Sequence, residues 1–320
     1  MQPAEPVTIA LHGRFLYGAP AANLKAEAEV VLREDNNPYP QYNGYRFGLV
    51  QDSWNAKQYP VDLVGTDGEG KAQINLQLSE TPDISRPLKA VLRTSLFEPG
   101  GRPVNRTLEL PYRYQPFAIG IKPLFEEDAV QIGAEAQFNV IAVDPLGERL
   151  AFNNLRYELY REEYEYYWYY VDNRWDYKMI IQDSDVLESN PLTVNAQQPV
   201  VVSKAGLDWG AYRLEVLDTA TGVASSVRFR VGWYGSPGEG DTPDQLRISL
   251  DKSRYQIRET AQVHVKAPFA GALLLTVAGD NLWTTPQSQP AGRRHDPRIA
   301  DSRRRGYRGL SPRHGFSACR

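Results

Sequence analysis

The densest run of chemically capable side chains lies between Tyr157 and Tyr177. Tyrosine, tryptophan, glutamate and arginine crowd it, from Arg161-Glu162-Glu163 through Trp168-Tyr169-Tyr170 to Arg174-Trp175. Side chains of a strand alternate between its two faces. An extended chain here puts Tyr164, Tyr166, Trp168 and Tyr170 on one face, and Tyr167 and Tyr169 on the other with Glu163 and Glu165. Asp172-Asn173 turns the chain, and Trp175 and Tyr177 return along it. Two chemistries suit such a hairpin. An exposed aromatic row stacks on sugar rings or docks a protein; alternatively, cross-strand aromatic pairs stabilise the ladder and one face lies against a neighbouring domain. Both faces are aromatic, and one hairpin covers only one face by itself, which favours the second reading. Tyr164, Tyr166, Trp168, Tyr170, Trp175 and Tyr177 are therefore the candidate inter-domain or partner interface.

Elsewhere the residue types that carry catalysis or bind metal do not stand in working patterns. His12, His264, His295 and His314 fall at no metal-ligand spacing, and Cys319 is the single cysteine. Glu126-Glu127-Asp128 could offer carboxylates to calcium, but a solvated turn uses the same residues. Asn105-Arg106-Thr107 fits a glycosylation acceptor by pattern only. There is no Gly-x-Ser-x-Gly elbow and no phosphate-cradling glycine loop, and acidic pairs lack the cleft that general acid–base chemistry needs. The expectation is no catalytic residue, no metal site and no cofactor.

The elements that must hold these residues read as strands nearly throughout. Ala72, Ile74, Leu76 and Leu78 alternate with polar residues, and so do Ala26, Ala28, Val30 and Leu32. Asp67-Gly68 offers the positive φ angles of a tight hairpin, and Asp144-Pro145-Leu146-Gly147 has the residues of a type I turn. Arg213 and Glu215 fall in one short strand and Val227 and Phe229 in another, on either side of residues 218–222. No segment reads as an amphipathic helix, and scattered prolines would break most helical windows. Gln131 to Val140 repeats at Gln256 to Val265, each copy after a short apolar strand, at the spacing of one β-sandwich plus a linker. The fold class is all-β: tandem antiparallel sandwiches at 6–116 and 117–233, a Gly/Pro linker at 234–243, and the start of a third sandwich at 244–284.

Composition agrees. Hydrophobic residues make up 42% and charged residues 23%, so most of the chain can bury a core. The net charge of −3 gives no global reason to expect nucleic acid or an anionic membrane as partner. Nine arginines after residue 284 form a local exception. They read either as a basic arm or as sequence foreign to the fold, such as a frameshifted product. The tail begins inside an unfinished domain, which favours the second. Residues 285–320 are thus expected to be a disordered or out-of-frame tail. There is no apolar run of about 18 residues to cross a membrane. The first residues do not form a signal peptide, so the chain is either cytoplasmic or a piece of a longer protein.

Three stretches resemble one family. Leu11-His12-Gly13-Arg14-Phe15-Leu16-Tyr17-Gly18-Ala19-Pro20 is similar to the opening of a macroglobulin-like domain, with its Tyr-Gly-x-Pro turn. The aromatic hairpin looks like that of bacterial alpha-2-macroglobulins. Leu250 to Tyr255, Glu259-Thr260-Ala261 and Ala267-Pro268-Phe269 are similar to the start of a further such domain, with Ser253 and Arg258 departing from the expected proline and glycine. The resemblance implies a periplasmic parent anchored at the inner membrane. That parent would trap proteases: cleavage of a bait triggers rearrangement, and a thioester couples to the attacker. The thioester motif, of Cys-x-Glu-Gln type, is absent, and Cys319 is followed by Arg320 alone. The segment is then a scaffold whose partners are neighbouring domains and, through the parent, proteases, with no nucleic acid and no membrane contact of its own. A cell-surface adhesion or carbohydrate-binding module using the 157–177 hairpin is the alternative.

Overall fold

The computed structural model describes residues 1–63, 65–79, 82–171, 174–232, 247–250, 255–256, 259–266, 274–278, 282–284 and 316–319. Of these, 163–169, 175–185, 247, 249, 264, 266, 274–278, 282–284 and 316–319 are described by their backbone alone. Every regular element among the described residues is a strand.

The first unit contains β1 (Val7–His12), β2 (Ala26–Glu34), β3 (Arg46–Phe47), β4 (Lys57–Val61), β5 (Lys71–Leu76), β6 (Leu88–Phe97) and β7 (Pro103–Tyr112). β1 and β5 pair antiparallel, and a second sheet has the order β4-β2-β6-β7. The alternation read from the sequence places Val30 and Leu32 of β2, Ile74 and Leu76 of β5, and Leu88 and Leu92 of β6 in one buried cluster between the sheets. Each such side chain contributes roughly 1.5–3 kcal/mol of hydrophobic stabilisation. β3 lies within this stretch of chain but pairs with neither of its sheets.

The second unit contains β8 (Ala118–Pro123), β9 (Ala129–Val130), β10 (Ala136–Val143), β11 (Arg149–Leu150), β12 (Phe152–Val171), β13 (Arg174–Val194), β14 (Val200–Lys204), β15 (Gly210–Asp218) and β16 (Ala224–Val231). One sheet runs β11-β10-β8-β3, with β14 also on β10; the other runs β13-β12-β15-β16-β9. Their shared core includes Ile119, Ile121, Leu155, Leu214 and Val216. Phe138, Phe229, Tyr212 and Phe125 interlock there, with neighbouring ring centroids 5.1–5.6 Å apart. Among the described pairings β9 with β16 is parallel and the rest are antiparallel.

The spans 6–116 and 117–233 are tied by more than the connecting chain, because β3 lies in the first span and pairs with β8 of the second. One expectation needs correction. The turn after Thr66 places its left-handed residue at Gly70 (φ 75°), not Gly68. The Asp67 carboxylate accepts from the amides of Glu69 and Lys71, both at 2.8 Å, and that favours a longer Asp-led loop over a two-residue hairpin. Asp144 shapes its turn in the same way, accepting from Leu146 and Glu148.

Both copies of the repeat pair antiparallel with the strand before them, with registers that differ by two residues. Val140 faces Ile121 across β10 and β8, and Val265 faces Ile248 across Val263–Lys266 and Arg247–Leu250. The amide of Ala134 bonds the carbonyl of Gln131, and the amide of Glu259 that of Gln256. The proposed linker at 234–243 lies outside the described residues. Of the tail, the described part is Phe316–Cys319, a strand antiparallel to Leu274–Ala278.

Candidate functional site

The aromatic segment forms one arm of the longest hairpin. β12 and β13 stay in register up to Val171 opposite Arg174, with irregularities between Phe152 and Leu155 and around Tyr160. β15 pairs with β12 only from Leu155 to Glu162. Beyond Glu162, β12 has β13 as its sole described partner, so nine residues extend as a two-stranded ribbon about 30 Å long. Trp168 stands opposite Tyr177, Tyr170 opposite Trp175, Tyr166 opposite Met179 and Tyr164 opposite Ile181. Tyr170 is 57% exposed. The side chains of Tyr164, Tyr166, Trp168, Trp175 and Tyr177 lie outside the described residues.

Where the ribbon leaves the sheet, an ionic cluster holds it. Glu162 is buried and accepts from Arg213 Nε at 3.1 Å and from Arg228 Nε at 2.8 and 3.0 Å, so both carboxylate oxygens are engaged. Arg213 also contacts Glu215, and its guanidinium lies 4.3 Å from the Tyr160 ring centroid. Charges this deeply buried persist only when paired, and here the pairing is complete on the acid. Burial pushes the Glu215 carboxyl up, against the pull of Arg213. A second cluster joins the two sheets: Glu188 of β13 binds Lys204 of β14 and accepts from the Tyr157 hydroxyl, and these two contacts hold its carboxyl below the usual range.

A third arrangement, absent from the sequence-based reading, joins the two units. Residues 36–52 leave the first sandwich, cross to the second and return. Their root is fixed at both ends. Arg113 donates to the Pro38 carbonyl (2.7 Å) and to Asp35 (3.2 Å), and lies over the Tyr39 ring. Arg86 donates to the carbonyls of Leu49 (3.0 Å) and Val50 (3.2 Å), while Ser85 bonds Leu49 and Asp52.

The middle of this strap belongs to the second sandwich. Arg46 and Phe47 pair with Ile121 and Gly120 at the edge of β8. Tyr39, Tyr42, Tyr45 and Phe47 then cover Ala118, Ile141 and Val143 on the outer face of that sheet. The chain next passes to β16: the amides of Gly48 and Val50 donate to the hydroxyls of Ser225 (2.7 Å) and Ser226 (2.8 Å), and the Ser226 amide donates to the Gly48 carbonyl (3.1 Å). Tyr42 donates to the Gly147 carbonyl at 2.8 Å, and Arg46 grips both oxygens of Asp128 at 2.7 and 2.9 Å. Asp128 thus serves the strap. Among the described residues no group of three or more His, Cys, Asp or Glu side chains could hold a metal ion.

Gly48 is required here twice over. Its φ is +82°, and an added Cβ would stand 2.6 Å from the Arg86 Cα. A Cβ on Gly120 would meet the Phe47 ring at 2.8 Å, so the two units touch where side chains are missing. A signal for the strap was present in the sequence. Val140-Ile141-Ala142-Val143 is apolar at every position, which a sheet with one wet face does not need. All four are buried, Val140 and Ala142 toward the core and Ile141 and Val143 under the strap.

Comparison with known proteins follows the same division. Residues 1–113 match the family described as Bacterial Alpha-2-macroglobulin MG5 domain, and residues 120–233 match Bacterial macroglobulin domain 6. A curated alpha-2-macroglobulin from Xylella fastidiosa (strain 9a5c) is 31% identical over 284 residues, covering 86% of this chain and 17% of the relative. The chain therefore spans about a sixth of that relative's length. The native conformation of Escherichia coli alpha-2-macroglobulin superposes with a TM-score of 0.57 at 25% identity, over 99% of this chain and 20% of that one. The form of that protein activated by porcine elastase gives 0.56 at 25% identity, over 87% and 25%.

Proposed function

The chain belongs to the bacterial alpha-2-macroglobulin family, as a macroglobulin-domain segment, and on that premise we propose that it is a structural scaffold within a broad-spectrum protease inhibitor, without bait or thioester chemistry of its own. The observation that carries this reading is the use of the described charged clusters. Glu162, Glu188, Arg213, Arg86 and Arg113 all spend their contacts joining strands or joining the two units. None of them stands with a nucleophile in the way covalent catalysis requires.

The parent protein would trap proteases and the segment would position the parts that do so; this is supported by a relative that porcine elastase activates. The segment is not itself an enzyme. We place the parent in the periplasm, anchored to the inner membrane, and the aromatic ribbon against a neighbouring domain of the same protein. The test uses the purified chain with elastase or trypsin and a protein substrate. The protease should keep its full activity, and no adduct should survive on a denaturing gel. Stoichiometric inhibition, or a covalent adduct within residues 1–284, would overturn the scaffold reading.

A further inference from the structure

We propose that residues 36–52 are a docking strand that holds the two units together without the covalent connection at 113–117, so that the first unit is a specific binding partner of the second sandwich. Three observations carry this. The strap fills both kinds of vacancy that a sandwich leaves. It pairs with the open edge of β8 and hydrogen-bonds the edge of β16, so it bridges both sheets of the partner. Unpaired edges of this kind are sites where other strands add. It also buries apolar residues, Ala118, Ile141 and Val143, that would otherwise face water on the outer surface of the second sandwich. Finally, its root is held independently by Arg113, Ser85 and Arg86, so the first unit presents the strap already shaped. A strand presented in its bound form loses little entropy on docking.

The occupant of this surface is therefore a segment of the same chain, and the inference holds whatever the parent protein does. A site for a specific protease is inserted between Gln115 and Pro116, which lie outside any strand, and the full chain is cleaved after folding. The two fragments should co-elute in size exclusion, and dilution should part them only at low concentration. Phe47→Asp places a charge in the buried contact and should weaken the association at least about tenfold, equal to about 1.4 kcal/mol. Tyr42→Ala removes a ring and a hydroxyl that serve the second unit, and should weaken it in the same direction while leaving the first core untouched. Circular dichroism of each fragment checks that both stay folded. Fragments that part on cleavage of the unaltered sequence would overturn the proposal, as would association that neither substitution weakens.

Discussion

At the scale of single residues, most of the informative positions are small or acidic. Gly48 sits at φ +82° with its missing Cβ 2.6 Å from the Arg86 backbone. Gly48→Ala should therefore cost about 1–3 kcal/mol through backbone strain alone, read as a lower urea midpoint with an unchanged slope; an unaltered midpoint would contradict the strap geometry. Ser226→Ala removes the acceptor for the Val50 amide and should cost about 1 kcal/mol, the usual scale of one hydrogen bond. Glu188 gives a prediction with a sign. Lys204 and Tyr157 lower its pKa in the folded state, so its stabilisation is fully present above the unfolded carboxylate pKa. It is lost as pH falls through the lowered folded value. Glu188→Gln should flatten the acid limb of the stability curve in that window and lower stability at neutral pH. Identical acid limbs for the two proteins would refute the pairing.

At the scale of elements, the strands were legible and the traffic between them was not. Period-two runs identified β2 and β5 because one face of each meets a core and the other meets water. The aromatic hairpin was legible from its long aromatic run and the Asp-Asn pair that follows it, and the backbone register sets Val171 opposite Arg174. β3 was missed because it is two residues long, Arg46–Phe47, and no periodicity exists in so short a piece. Its hydrogen bonds go to a strand more than seventy residues away, information that a local window does not hold. The turn at Asp67 was placed two residues early because the Asp-Gly pair suggested a tight hairpin, whereas the carboxylate's two amide contacts set a longer loop. The ribbon beyond Glu162 makes its own test. Joining Glu163 to Gln182, which face each other, through an Asn-Gly turn removes only strand that pairs within itself. The melting temperature of the remainder should not change; a fall of several degrees would show that the ribbon packs on this chain rather than on a neighbouring domain.

At the scale of the whole molecule, two sandwiches share a strand donated by the first and a face covered by it, and the shared parts are backbone pairs, serine hydroxyls and aromatic rings. Such a joint resists bending in a way that a flexible linker does not. The proposed scaffold role needs that stiffness, because a segment that positions other parts must itself hold one shape. The direct measurement is the distance between spin labels on the two units, with Cys319→Ser removing the native thiol. Arg106→Cys on β7 and Thr193→Cys on β13 provide exposed attachment points. One narrow distance distribution is expected for the unaltered strap, and broadening on Phe47→Asp. A broad distribution in the unaltered strap would mean that the two units move independently and that the chain is not a single scaffold body.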